Sequence, residues 1–89
     1  MPDEKARLEI LQIHTKKMNL DKSVSLEKIA KTTAGFSGAD LSAVAREAGI
    51  FVLRRRDTIV KMRDLMDAVK KVQREEERNK LNAPSDMFG

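Results

Sequence analysis

Ser37-Gly38-Ala39-Asp40-Leu41-Ser42-Ala43-Val44-Ala45-Arg46-Glu47-Ala48-Gly49-Ile50-Phe51-Val52 is the stretch that decides the fold. Ser37 can accept a hydrogen bond from the first turn of a helix, and Asp40 stands three residues on, where a capping box more often has Glu or Gln. From there Leu41, Val44, Ala45, Ala48 and Val52 recur at i, i+3, i+4, i+7 and i+11, the apolar stripe of an amphipathic helix. Gly49 interrupts that helix at a cost of about 1 kcal/mol relative to Ala. It serves either the close approach of another element or nothing beyond being tolerated.

Toward the N-terminus, Gly35 marks the end of an earlier short helix, which Ser25 caps and in which Leu26, Ile29 and Ala30 share a face. Before that, Pro2 followed by Asp3 and Glu4 opens a first helix, with Pro at the first helical position and acids at the positive end of the dipole. Its stripe is Leu8, Leu11, Thr15 and Met18, broadened by Ile10 and Ile13, with His14 on the flank. Toward the C-terminus, Asp57-Thr58-Ile59-Val60 is a β-branched connector too short for a sheet. Met62, Leu65, Met66, Val69 and Val72 then repeat the helical spacing, and residues 73–80 can prolong this fourth helix without an apolar face. Residues 81–89, polar and broken by Pro84, predict a flexible tail. The expectation is an all-α domain, a small four-helix bundle over residues 2–80.

Composition agrees and excludes much else. A chain of 89 residues is one small domain, and 40% apolar content supplies one core. With no Cys there is no disulfide framework or thiolate metal site, and a single His excludes a His-rich zinc centre. No apolar run approaches the roughly 20 residues that cross a bilayer, and the first residues do not show a signal-peptide pattern. The balance predicts a soluble, cytoplasmic domain. The net charge of +4 is concentrated in residues 54–80, which hold ten of the 18 bases. Such a segment suits nucleic acid or an acidic partner, but bases alternate with acids as on a solvated helix face, and no aromatic platform for single strands lies in it.

No catalytic constellation can be assembled: there is no phosphate-cradling G-x-x-x-x-G-K-[ST] loop, and His14 has no nucleophile beside it. A lone His next to an apolar stripe is ordinarily structural. Two segments point further. Arg7-Leu8-Glu9-Ile10-Leu11-Gln12-Ile13-His14-Thr15-Lys16-Lys17-Met18 and Gly35-Phe36-Ser37-Gly38-Ala39-Asp40-Leu41, at their separation here, resemble the C-terminal helical lid of classical AAA+ ATPases. Leu26-Glu27-Lys28-Ile29-Ala30 and Arg46-Glu47-Ala48-Gly49-Ile50 fit the same lid in register, and the resemblance runs from about Pro2 to Val72. Glu47-Ala48-Gly49-Ile50-Phe51 followed by Arg54-Arg55 looks most like archaeal proteasome-activating nucleotidases and the proteasome regulatory-particle ATPases.

That resemblance implies a lid closing over the adenine side of ATP or ADP, with Mg held by a preceding ATPase domain. Ile10 would pack on the base and His14 would reach the base or ribose. Gly38 and Ala39 would bring the start of the third helix against the nucleotide, where the lack of a side chain permits close backbone approach. Lids of other subgroups carry an arginine at the position of Ala39, so no base is assigned to the terminal phosphate. The intact parent would be an ATP-hydrolysing unfoldase, and this piece alone inactive. The start at Met1-Pro2-Asp3 is accordingly expected to be a cut from a longer protein. Met87-Phe88-Gly89 resembles the hydrophobic–tyrosine–any terminus that docks proteasomal ATPases on the outer ring of the proteasome core particle, with Phe88 in place of Tyr. Implied partners are the preceding domain, neighbouring subunits of a hexamer, the core particle and unfolded protein substrates. Two other assignments stand beside it: the lid of another AAA+ machine, such as a segregase or membrane protease, and a free-standing nucleic-acid module using residues 54–80.

Overall fold

The computed structural model describes residues 1–81, and in them the chain forms α1 (Glu4–Thr15), α2 (Leu26–Thr32), α3 (Gly38–Arg54) and α4 (Met62–Leu81). Each helix start has a local cause. Asp3, not Pro2, begins α1: its carboxylate accepts from the Ala6 amide at 2.8 Å, and Pro2 lies one residue outside the cap. Ser25 caps α2 by accepting from Lys28. At α3 the full reciprocal box forms, with Asp40 N–H donating to Ser37 Oγ at 3.1 Å and Ser37 N–H donating to Asp40 Oδ2 at 2.9 Å. An Asp thus closes the box as a Glu would. Gly35 sits at φ 85°, a left-handed turn residue just past α2, where any side chain would be strained.

The expected third-helix stripe is the centre of the core. Leu41, Val44, Ala45, Ala48 and Val52 are all buried, and all but Ala45 belong to one core cluster with Leu65, Ala68, Val69 and Val72 of α4, Leu11 of α1 and Ile29 of α2. α3 and α4 run antiparallel: Lys71 Nζ donates to Glu47 Oε1 at 2.7 Å near the middle, while Arg55 at the end of α3 pairs with Asp64 at the start of α4. The same Lys71 ammonium stands 5.9 Å from the Phe51 ring centre. The connector 57–60 makes one parallel bridge, Leu20 to Val60, which ties it to the segment after α1 through two backbone hydrogen bonds of 2.8 Å.

Two apolar side chains depart from the sequence expectation. Ile13 is 68% exposed and Met66 is 47% exposed, although both had been placed on apolar stripes. Leu11 and Thr15 of the expected α1 stripe are buried, and Arg7, four residues before Leu11, is buried with them. At Gly49 the two segments come close: a β-carbon there would lie 3.1 Å from the Met18 methyl, the free end of a flexible side chain. Residues 73–80 do prolong α4, which runs through Leu81; residues 82–89 of the expected tail lie outside the described residues.

Candidate functional site

Ile10 and His14 lie four residues apart on α1 and therefore on one face of it. Ile10 is half-buried against the core, which fixes its position, and His14 is exposed. Gly38 and Ala39 are the first two residues of α3, both exposed, on a helix that packs directly against α1. None of the four lines the groove of about 740 Å³ described below. They are surface groups presented outward on two adjoining helices. Met87, Phe88 and Gly89 lie outside the described residues.

Gly38 is the informative member. A β-carbon built on it would meet nothing within 4 Å, and its backbone is not in the left-handed region. Neither packing nor backbone strain within the domain requires a glycine there. The amides of Gly38 and Ala39 also have no intrahelical acceptor, as at the start of every α-helix. Two free donors on a surface without a side chain suit a flat ligand brought close to the backbone.

The charge around them selects which part of a nucleotide fits. Burial pushes the Asp40 carboxyl up, but the Ser37 amide, Glu76, the Ser37 hydroxyl and Lys80 outweigh it and hold the group below its ordinary value. Its partner moves the other way: the hydrogen bond with Asp40 and its charge raise Glu76. An ionised Asp40 at the third helical position offsets the positive potential of the α3 N-terminus. Helix-terminal capture of a phosphate is therefore weakened here, contrary to the simplest expectation for a helix start. A neutral base or ribose is not penalised in the same way. Among the described residues no group of His, Cys, Asp or Glu could hold a metal ion, and no helix is long and apolar enough to cross a membrane.

A second surface was not visible as a unit in the sequence. Lys17, Met18 and Asn19 after α1, Arg46, Gly49, Ile50 and Leu53 on α3, and Asp57, Thr58 and Val60 of the connector line an open, mainly apolar groove of about 740 Å³. Leu53 is 74% exposed at its rim. Helical spacing alone could have flagged it: Gly49, Ile50 and Leu53 fall off the buried stripe yet are uncharged. The third and fourth helices' basic segment, in turn, is not a uniform positive face. Arg55 is engaged by Asp57 and Asp64, and Lys71 by Glu47.

Comparison with known proteins gives this geometry its context. Residues 23–67, about half of the chain, match the AAA+ lid domain. The chain is 44% identical to the proteasome-activating nucleotidase of Methanosarcina mazei over 91 residues, covering 99% of this chain and 22% of that protein. It is 48% identical to the proteasome-activating nucleotidase of Methanocaldococcus jannaschii over 86 residues, covering 97% of this chain and 20% of the relative. For that of Thermococcus kodakarensis the identity is 56% over 72 residues, 81% of this chain and 18% of the relative. The chain thus spans about a fifth of the length of the curated relatives it matches. With the family match spanning half of its length, the chain belongs to the AAA+ lid domain family.

Proposed function

We propose that this domain is the lid of an ATP-dependent, proteasome-activating ATPase of the cytoplasm. In that parent it covers the adenine side of ATP or ADP and relays nucleotide state between the subunits of a hexamer that feeds unfolded proteins to a proteasome core particle. The observation that carries the proposal is the near end-to-end similarity to proteasome-activating nucleotidases. Gly38 adds a physical reason, because its missing side chain serves nothing inside the domain. Ile10, His14 and the Gly38–Ala39 backbone form the nucleotide-facing set. The phosphates, Mg and the attacking water belong to the preceding ATPase domain, and the ionised Asp40 is consistent with phosphates kept away from α3.

The groove around Leu53 takes the neighbouring subunit, since it is an open, mainly apolar surface left over once α1, α3 and the connector have packed. Met87, Phe88 and Gly89 dock the ring on the core particle, an apolar side chain, an aromatic ring and a free carboxylate being suited to a pocket with a basic group. The test uses the full-length parent. It is expected to hydrolyse ATP and to open the core-particle gate, and removing Met87 to Gly89 is expected to abolish gate opening while leaving hydrolysis in place. Gate opening unaffected by the deletion would overturn the docking role, and a parent that binds no ATP would overturn the lid assignment.

A further inference from the structure

Arg7 is the least expected buried group of the domain. It is 7% exposed, in the innermost register of α1 with Leu11 and Thr15. No carboxylate within ion-pair distance compensates it among the described residues. Its guanidinium is held by two backbone carbonyls: Nε donates to Ala30 O at 2.9 Å, in the last turn of α2, and Nη1 donates to Pro2 O at 3.0 Å, ahead of α1. Ala30 O does not depend on this bond alone, because the Thr33 amide reaches it at 3.4 Å and the Thr33 hydroxyl, shared with Ile29 O, at 3.1 Å. Fold stability does not need it either. Burying a cation without an anion is costly, and an apolar side chain of similar size commonly serves a core as well or better. What a planar fork does, and an apolar chain cannot, is fix two separate carbonyls at a set distance and angle.

One of those carbonyls belongs to the segment that leads into the domain. On the proposed reading, which this inference rests on, the ATPase domain precedes Pro2, and any swing of the lid relative to it passes through residues 1–3. We propose that Arg7 is a positioning residue that clamps this leading segment to α2, so that the lid turns with the segment as one rigid piece. The two anchor points lie 28 residues apart in sequence, and Arg7 is the side chain that joins them. Without it, Pro2 loses its bond to the lid while the Asp3 cap of α1 is kept. Nucleotide-driven movement of one domain would then be absorbed by a loose joint rather than passed on.

The experiment is made on the full-length parent in its ADP-bound state, with one spin label on Lys70→Cys, exposed on α4, and another on the preceding ATPase domain. The wild type is expected to give a single narrow distance maximum. Arg7→Met is expected to lose that narrow maximum while the domain keeps its helical content. Thr33→Val is the control: it removes the hydroxyl donor at the end of α2 without touching Pro2, and it is expected to keep the narrow maximum. Should Arg7→Met fail to assemble, Arg7→Lys keeps the cation but not the fork, and it too is expected to broaden the distribution. A wild-type distribution in the Arg7 variant that assembles, or equal broadening in Thr33→Val, would overturn the clamp. If the parent does not bind ADP, the lid assignment itself fails, and that result is distinct from a parent that binds ADP and stays narrow without Arg7.

Discussion

Arg55 and Asp64 hold each other across the corner between α3 and α4, the guanidinium of one spanning both carboxylate oxygens of the other. The same Asp64 carboxylate, buried at 4% exposure, also accepts from the Lys61 amide at 2.8 Å and so caps α4. Arg55 reaches on to Ile59 O and to Asp57. Between them Arg56 takes a left-handed φ of 57°, a conformation that costs a non-glycine residue about 1–2 kcal/mol. One ion pair thus fixes the turn, the cap and the connector that bridges back to Leu20.

Removing Asp64 tests that corner. Asp64→Ala loses a helix-cap bond and a charge-assisted pair, and its expected cost is about 2 kcal/mol of unfolding free energy. In a domain of this size that lowers the melting midpoint by about 10 °C. A denaturant titration showing no change in midpoint would make the corner incidental.

The acid limb of the stability profile reports the same carboxylate. The hydrogen bond from Arg55, with the Lys61 amide and the Arg55 and Arg63 charges, outweighs burial and holds Asp64 below its ordinary value of 3.8. Its folded-state value is thus below its unfolded one. Its contribution is therefore complete above the unfolded value and is lost as pH falls through the depressed folded value. Between about pH 5 and about pH 2 the wild type should lose more stability than Asp64→Asn, and the two curves should converge at the acid end. Parallel curves would exclude Asp64 as the source.

Gly49→Ala is expected to stabilise the domain, by up to about 1 kcal/mol of helix propensity. The new β-carbon would come within 3.1 Å of the Met18 methyl, but that methyl is the free end of a flexible side chain on the open groove and can move. A lower melting midpoint would mean that Met18 is held in place and that Gly49 is needed for its approach.

Leu53→Glu separates domain folding from assembly. At 74% exposure the change should alter domain stability by no more than about 0.5 kcal/mol. In the full-length parent it should shift the proposed hexamer toward smaller species in sedimentation, because it puts a charge on the apolar groove. An intact hexamer would remove the groove from the subunit contact.

These outcomes also show where sequence was sufficient. The third helix was readable because two independent signals, the Ser37–Asp40 box and the 41–52 stripe, agree residue for residue with its cap and its buried face. The first helix was readable in extent but not in orientation. Counting apolar positions favours Ile13 and passes over Arg7, since a buried cation held by carbonyls leaves no trace in hydropathy. Asp64 was hidden for the same reason: its partner Arg55 looks like one more base in a run of three. Of the candidate site, the sequence offers a motif that resembles a family pattern, and Gly38's lack of any internal purpose needed coordinates.

The central claim is that the start of α3 lies against a nucleotide, and Gly38→Leu in the full-length parent tests it most directly. A β-carbon at this exposed position meets nothing else in the domain, which should fold as before. ATP binding is expected to weaken about ten-fold or more, the equivalent of about 1.4 kcal/mol of lost close contact. Unchanged ATP affinity in a correctly folded Gly38→Leu parent would contradict the account and leave Ser37-Gly38-Ala39-Asp40 as a helix cap alone.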